Sequence, residues 1–387
     1  MKTYKNLFKK VVSDEIIDSA FINACYRKND RPEIIAIKEH YDLCKSKLKE
    51  FLIKGKYKPI KHLAREINDG FKLKKRNVIV PKFTARCPEQ WIQHIVVLVL
   101  EPIFRHGMYE FSCGSVPGRG VHYGKKYIEK YIREHKKEIR YVLKLDIRHF
   151  YETINVDLLK ERLKRIIKDD KMLELIFFIL DSNFGIKENG EIIRSGLPIG
   201  FYTSQWFANW FLQPFDHFVK EDLKASFYMR YMDDIVIFGS NKRDLHKIFI
   251  EIKKYLSGLD LEVKSNWQVF KFDYIDKNGK RQGRFVDFMG FKFYRDKTTI
   301  RKSIFLRACR LARRLEKKLK ISWYDSCRLL SYLGWFVATD TYEAFKKHIE
   351  PRVNINSCKK IVSKHSKKGD SKNGNYLQGN TEQQKTA

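Results

Sequence analysis

The spacing of apolar and polar positions divides the chain before any motif is considered. Apolar residues recur at helical intervals from Ile34 through Leu52, with breaks at Gly55, Pro59 and Gly70, which predicts a helical, basic stretch over residues 1–70. From Phe71 to Pro81 the pattern becomes a basic strand, in which Lys74, Lys75 and Arg76 lead into Val78-Ile79-Val80, and a helix rich in Ile, Val and Leu follows from Pro88 to Phe104. A Gly-rich turn segment at 110–120 precedes a helix carrying Tyr127, Ile128, Tyr131 and Ile132, and Val142-Leu143-Lys144-Leu145-Asp146 reads as a strand ending on a carboxylate. Helices fill 156–182, Asn189-Gly190 has the signature of a two-residue hairpin turn, and 206–220 is a strongly aromatic helix. Phe227 to Tyr231 and Ile235 to Phe238 are strand-like runs flanking Met232-Asp233-Asp234, and Asn278-Gly279 marks a further hairpin. Residues 301–320 form a basic helix, shorter helices run to about 350, and the composition after Ile361 is that of a disordered tail.

Charge narrows the class of partner. With 78 Lys and Arg against 46 Asp and Glu, the 387-residue chain carries a formal charge of +32, which calls for a polyanion, either nucleic acid or an anionic membrane surface. A membrane span is excluded as an expectation, because the longest apolar runs, Ile95 to Leu100 and Leu175 to Leu180, fall far short of the roughly 20 residues a span needs. Met1-Lys2-Thr3-Tyr4-Lys5 lacks the apolar region of a signal peptide. Seven scattered cysteines without a C-x-x-C pair fit a reduced cytosolic compartment better than a zinc site or a disulfide framework.

Candidate chemistry sits at Tyr231-Met232-Asp233-Asp234. An Asp-Asp pair in a loop is usually an ordinary turn, but here Val236 to Phe238 anchor it to a buried strand. Adjacent carboxylates on a hairpin tip make a rigid anionic point suited to Mg²⁺, a hard cation held by one or two carboxylates plus substrate phosphates. Asp146 ends a strand in the same manner. If the two strands are neighbours, Asp146, Asp233 and Asp234 converge on a site for two divalent ions about 4 Å apart, Mg²⁺ with Mn²⁺ as the alternative, the arrangement for in-line nucleotidyl transfer.

These residues carry a family resemblance, collinear across residues 71–350, to the reverse transcriptases of bacterial retroelements. Tyr231-Met232-Asp233-Asp234 resembles the polymerase C motif, and Leu145-Asp146-Ile147-Arg148-His149-Phe150-Tyr151 the A motif. The resemblance implies an α+β right-hand polymerase fold. Its expected divisions are an N-terminal helical extension at 1–70, fingers at 71–140, a palm at 141–295 with a helical fingers part at 156–195, a helical thumb at 296–350 and a basic tail at 351–387. It assigns Asp146, Asp233, Asp234 and Lys264 to catalysis, the lysine as general acid toward pyrophosphate, and Asp146, Ile147, Asp233 and Asp234 to the metals. Tyr151 stands where the family places a steric gate against the ribose 2′-OH. Arg76 and Arg86, flanking Val-Ile-Val-Pro, match the arginines that hold the incoming triphosphate, although Ala85 replaces the Asp that usually precedes the second. Arg119 corresponds to a template-backbone contact, and Val286-Asp287-Phe288-Met289-Gly290 to the primer grip, with Met289 and Gly290 on nucleic acid.

The B motif narrows the subfamily. Where accurate relatives have Gln-Gly followed by Ser-Pro, this chain has Ile199-Gly200-Phe201-Tyr202-Thr203-Ser204-Gln205. Ile199, Gly200 and Gln205 are therefore read as nucleotide-site residues of the pattern found in diversity-generating retroelements, which copy a template RNA into cDNA with errors at adenines. An apolar residue in place of an amide removes a hydrogen-bonding check on the nascent pair. The 301–320 helix has nine Lys or Arg against Glu316, and Arg307, Arg310 and Arg314 on one face suit a nucleic-acid backbone. The implied partners are template RNA, cDNA or primer, dNTPs and a small basic ring-forming accessory protein, with no membrane, and the implied setting is the cytoplasm, for a bacterial or phage-encoded protein. A faithful group II-derived or defence-type enzyme, and a non-catalytic RNA-binding protein on the same fold, stay open beside this reading.

Overall fold

The computed structural model describes residues 2–26, 28–55, 57–69, 74–225 and 227–365. Two compact units emerge, one from described residues up to 124 together with 137–270, the other from 125–136 together with 271–365. The architecture is α+β with largely antiparallel sheets, as the sequence predicts.

In the first unit the N-terminal helices are part of the core and not an appendage. Helix Asp14–Cys25 starts at Ser13, whose side chain accepts from the Ile16 N–H, and it buries Ile17, Ala20, Phe21 and Ala24 at helical spacing. It packs on helix Glu89–Arg105, where the buried Trp91 indole donates to the Ile17 carbonyl at 2.8 Å. The predicted helical character also fails at the end of this region. Strand β1 (His62–Asp69) pairs antiparallel with β2 (Lys74–Val80). Buried Glu89 locks it in place, holding His62 Nε2 at 2.7 Å and accepting from the Lys82 N–H at 3.0 Å.

Strand β3 (Tyr141–Asp146) lies in a second sheet. Helices Val156–Ile166 and Asp170–Asp181 are capped by Asn155 and Asp169. Strands β4 (Phe184–Ile186) and β5 (Ile192–Arg194) extend the β1–β2 sheet in the order β2-β1-β4-β5. Their connection is five residues long and not the two expected, because Lys187 closes it by donating to the Glu191 carbonyl at 2.9 Å. The aromatic helix has an interruption: it spans Tyr202–Phe211, breaks at Leu212 just ahead of Pro214, which lacks an N–H, and resumes as a short helix Gln213–His217 that passes into a π-helical turn Phe218–Asp222. Strands β6 (Phe227–Tyr231), β7 (Asp234–Gly239) and β8 (Gln268–Lys271) complete the second sheet in the order β6-β7-β3-β8. Helix Lys242–Ser257 covers β3 and β7 with Leu245, Phe249, Ile252 and Leu256.

The second unit has a small hairpin, β9 (Tyr274–Ile275) and β10 (Arg281–Gln282), and a three-stranded meander, β11 (Val286–Phe288), β12 (Phe291–Phe293) and β13 (Thr298–Ile300). The hairpin expected at Asn278-Gly279 is present, and Asp276 folds its loop by accepting from the N–H groups of Asn278 and Lys280. Helices Lys302–Glu316, Trp323–Val337 and Tyr342–His348 share an apolar core. Backbone 355–365 is helical, and Ile355 and Cys358 are buried in that core, which corrects the expected start of the tail. Residues 366–387 lie outside the described residues. No helix among the described residues is long and apolar enough to cross a membrane.

Candidate active site

Pairing of β3 with β7 sets Asp146 directly opposite Asp234, the end of one strand against the start of the other. Asp233 occupies the tip between β6 and β7, and its carbonyl accepts from the Ile147 N–H at 3.1 Å. The three carboxylates that the sequence singles out thus meet at one end of one sheet.

The tip is a two-residue connection, Met232-Asp233, and Met232 lies in the left-handed region at φ 56°. For a side chain of this size that conformation costs about 1–2 kcal/mol and requires outside support. Fully buried Arg230 supplies it. Its Nη1 donates to the Met232 carbonyl at 3.0 Å and to Asn209 Oδ1 at 3.2 Å, while Nε and Nη2 hold Asp216 at 2.7 and 2.5 Å. Tyr228 donates its hydroxyl to the same Asp216 at 2.5 Å. On the other side, segment 111–113 exchanges backbone hydrogen bonds with Arg230 and brings Gly114 against the turn. A Cβ on Gly114 would stand 2.5 Å from Met232 Cγ, so only glycine permits that approach.

Burial, and then the charges of Asp146 and Asp234, push the Asp233 carboxyl up to about 6; Lys264 offsets this in part. The Lys264 ammonium pairs with the Asp146 carboxylate, and its backbone N–H donates to the Asp146 carbonyl at 2.9 Å. The three acids gather hard oxygen donors in one place, the setting a divalent cation relieves. Among the described residues no three His, Cys, Asp or Glu side chains form a ready-made metal cage, so the acids are a charge cluster that an ion would have to draw together. Ile147 is buried and its side chain has no donor atom, which leaves only its backbone for the metal role expected of it.

Tyr151 lies within electrostatic reach of Asp233 and Arg76; burial above all, then Asp233, raises its hydroxyl well above the ordinary tyrosine value and keeps it protonated. Its carbonyl accepts from the Leu197 N–H at 2.7 Å, which sets the approach to the B-motif segment. Half-buried Ile199 accepts from the Ile79 N–H of β2 at 3.0 Å, and Gly200 lies against the Ile79 carbonyl at φ 118°. Gln205 is exposed on helix Tyr202–Phe211, and Arg86 is exposed in the bend after β2. Half-buried Arg119 clamps its own loop, its Nη1 donating to the carbonyls of Tyr109 and Ser112.

In the second unit, Met289 and Gly290 are buried at the β11–β12 tip, so nucleic-acid contact through the Met289 side chain is not supported. Arg307, Arg310 and Arg314 are exposed on helix Lys302–Glu316, with Arg314 holding Asp325 at 3.0 Å. Sequence reasoning missed Arg230, Asp216 and Asn209. The available signal was a charge inside the apolar run Phe227-Tyr228-Met229-Arg230-Tyr231, since a buried cation demands a buried partner.

A family model described as reverse transcriptase (RNA-dependent DNA polymerase) matches residues 67–293, more than half of the chain and all three carboxylates. The chain belongs to the reverse transcriptase family. This reverse transcriptase is 22% identical over 230 residues to protein YkfC of Escherichia coli K12, covering 57% of this chain and 53% of that one. It is 29% identical over 197 residues to the group II intron-encoded protein LtrA of Lactococcus lactis subsp. cremoris, covering 50% of this chain and 30% of LtrA. The chain therefore spans about half the length of one of these relatives and less of the other. Solved telomerase structures are also similar: apo telomerase of Candida tropicalis (TM-score 0.43, 15% identity, 66% of this chain and 58% of that one) and Candida albicans telomerase with a telomeric RNA fragment (TM-score 0.47, 14% identity, 81% and 59%).

Proposed function

We propose that this reverse transcriptase is an RNA-directed DNA polymerase that copies a template-repeat RNA into cDNA with errors at adenines, diversifying a target gene. The observation that carries the polymerase reading is the meeting of Asp146, Asp233 and Asp234, with Tyr151 in electrostatic reach of both Asp233 and Arg76. Asp146, Asp233 and Asp234 would hold Mg²⁺, which when bound supplies charge neutralisation at the attacking and leaving oxygens. Lys264, already on Asp146, is placed to give a proton toward pyrophosphate. Arg76 and Arg86 hold the triphosphate, and Tyr151 presents a neutral ring and hydroxyl to the sugar.

In this reading the β1–β2 sheet belongs to the fingers, the carboxylate sheet to the palm, and the helices after Lys302 to the thumb, where Arg307, Arg310 and Arg314 bind the template–primer backbone. A small basic ring-forming protein is the expected accessory, and the bacterial cytoplasm the expected setting. The adenine bias rests on Ile199 and Gln205. The half-buried Ile199 beside β2 supports this reading: its side chain offers no hydrogen-bonding group where the resembled accurate enzymes have an amide.

A faithful group II-type enzyme is the second reading, favoured by the likeness to LtrA. Primer extension on an RNA template containing all four bases, followed by sequencing, separates the two. Wild type should misincorporate chiefly opposite adenine. Ile199→Gln should lower that error several-fold, since a net hydrogen bond is worth about 1 kcal/mol. Low, base-independent error in wild type overturns the mutagenic reading, and no extension at all favours the RNA-binding alternative.

A further inference from the structure

We infer that Arg230 is a positioning residue for the carboxylate turn, acting through the Met232 carbonyl, and that Asn209 ties this support to the helix Tyr202–Phe211. The inference rests on the polymerase reading and adds to it a residue that no motif singles out.

The geometry is specific to a guanidinium. Two parallel N–H groups engage Asp216 as a fork, while Nη1 serves both Asn209 and the Met232 carbonyl, so one planar group fixes three partners at once. Both Arg230 and Asp216 are fully buried. A buried ion pair adds little net stability compared with apolar packing, so stability alone does not account for it. Its directed product is the hydrogen bond to Met232. That carbonyl belongs to the peptide plane leading into Asp233, and Met232 is held in the left-handed region at φ 56°. Rotation of this plane would swing Asp233 away from Asp146 and Asp234.

Asn209 extends the linkage. Its Oδ1 accepts from Arg230, and its Nδ2 donates to the Gly114 carbonyl at 2.7 Å, so one carboxamide joins the helix, the loop and the guanidinium. The helix begins two residues beyond Gly200, the segment read as facing the incoming nucleotide. The carboxylate turn and the nucleotide segment therefore share a rigid buried connection.

The test uses the full chain, with Mn²⁺ as the probe read by electron paramagnetic resonance, alongside template–primer affinity, melting temperature and primer-extension kinetics. Arg230→Lys keeps the charge and loses the fork. Gly114→Ala presses on Met232 from the other side and keeps the Arg230 guanidinium and its fork on Asp216, so it tests the Met232 link if Arg230→Lys fails to fold. Ile237→Val, a methyl removed from the same sheet, controls for loss of stability alone. Both test variants should bind Mn²⁺ about tenfold more weakly, as is usual when the supports of metal ligands are disturbed. They should lose kcat with little change in KM for dNTP, and they should retain template–primer affinity; Ile237→Val, buried in β7, should lower the melting temperature and match wild type in the other three. Folded variants that bind Mn²⁺ and extend primers like wild type overturn the positioning role while leaving the polymerase reading intact. A wild type that neither binds Mn²⁺ nor extends a primer overturns that reading, and the inference with it.

Discussion

The hairpin tips at Met232-Asp233 and Met289-Gly290 begin from the same local design. Each joins two antiparallel strands through two residues, with Tyr231 opposite Asp234 in one and Phe288 opposite Phe291 in the other. Each opens with a buried methionine in the left-handed region, at φ 56° and 52°. They part at the second position. Gly290 continues at φ 88°, giving the paired positive dihedrals that a two-residue hairpin favours, and it is so closely covered that a Cβ would stand 2.8 Å from Trp335 Cζ3. Asp233 does not enter the left-handed region, and its carboxylate faces two others. The first tip is held by a buried cation and its hydrogen bonds, the second by glycine and apolar packing. Where a turn must present charge, local preference and packing are not enough, and a buried polar network supplies the remainder.

The largest expected effect tests whether the charged tip is the chemical one. Asp233→Asn keeps the shape and removes a charge from the cluster, so primer extension should fall by orders of magnitude while RNA affinity, set by distant cations, barely changes. Turnover assays and filter binding on one preparation make the comparison. Retained synthesis would end the assignment of Asp233.

A smaller effect is expected at the other tip. Gly290→Ala forces a side chain into a left-handed backbone and against Trp335, which should cost about 1–3 kcal/mol in urea denaturation. Synthesis per folded molecule should persist below the transition. If stability is unchanged and turnover is lost, the Met289-Gly290 tip works in chemistry and the contrast between the tips collapses.

How much of this was legible in the sequence follows from how local each signal is. Asp146 and the Asp233-Asp234 pair were readable because apolar runs bring each to the end of a buried strand. That the two strands face one another is a matter of pairing, which residue types do not specify. β1 escaped notice because Arg65, Glu66 and Ile67 alternate no more clearly as a strand than as a helix, and seven pairs with β2 decide the outcome. The 355–365 helix was lost in a basic, polar stretch, since Ile355 and Cys358 are few but buried. Arg230, Asp216 and Asn209 lie on three elements with no spacing to link them, so only the fold reveals their connection. Arg119 and Met289 were legible as motif positions, but their surroundings, two loop carbonyls and a closed core, were not.

The smallest effect concerns the energetic difference between the tips, and its sign is opposite to that of the usual carboxylate. Asp233 is pushed from an ordinary 3.8 up to about 6 by burial and by its two acidic neighbours, so the folded chain holds this proton more tightly than the unfolded chain does. Its contribution to stability is therefore complete below about pH 4 and is lost as pH rises through 6. At pH 7.5 the ionised group is a net cost, and Asp233→Asn, neutral throughout, should be the more stable protein. A difference of at least about 1 kcal/mol is expected, because one pK unit corresponds to about 1.4 kcal/mol. Thermal unfolding of both proteins in EDTA at pH 4, 5, 6 and 7.5 should show the mutant's advantage opening between the lower and upper values. Mn²⁺ should then raise the wild-type transition more than the mutant's by neutralising the same charge. The Met289-Gly290 tip has no titratable side chain, so the urea penalty of Gly290→Ala should be the same at pH 5 and 7.5. A wild type at least as stable as Asp233→Asn at pH 7.5 would mean that Lys264 fully compensates the acids, and that the two tips differ in geometry but not in stored charge.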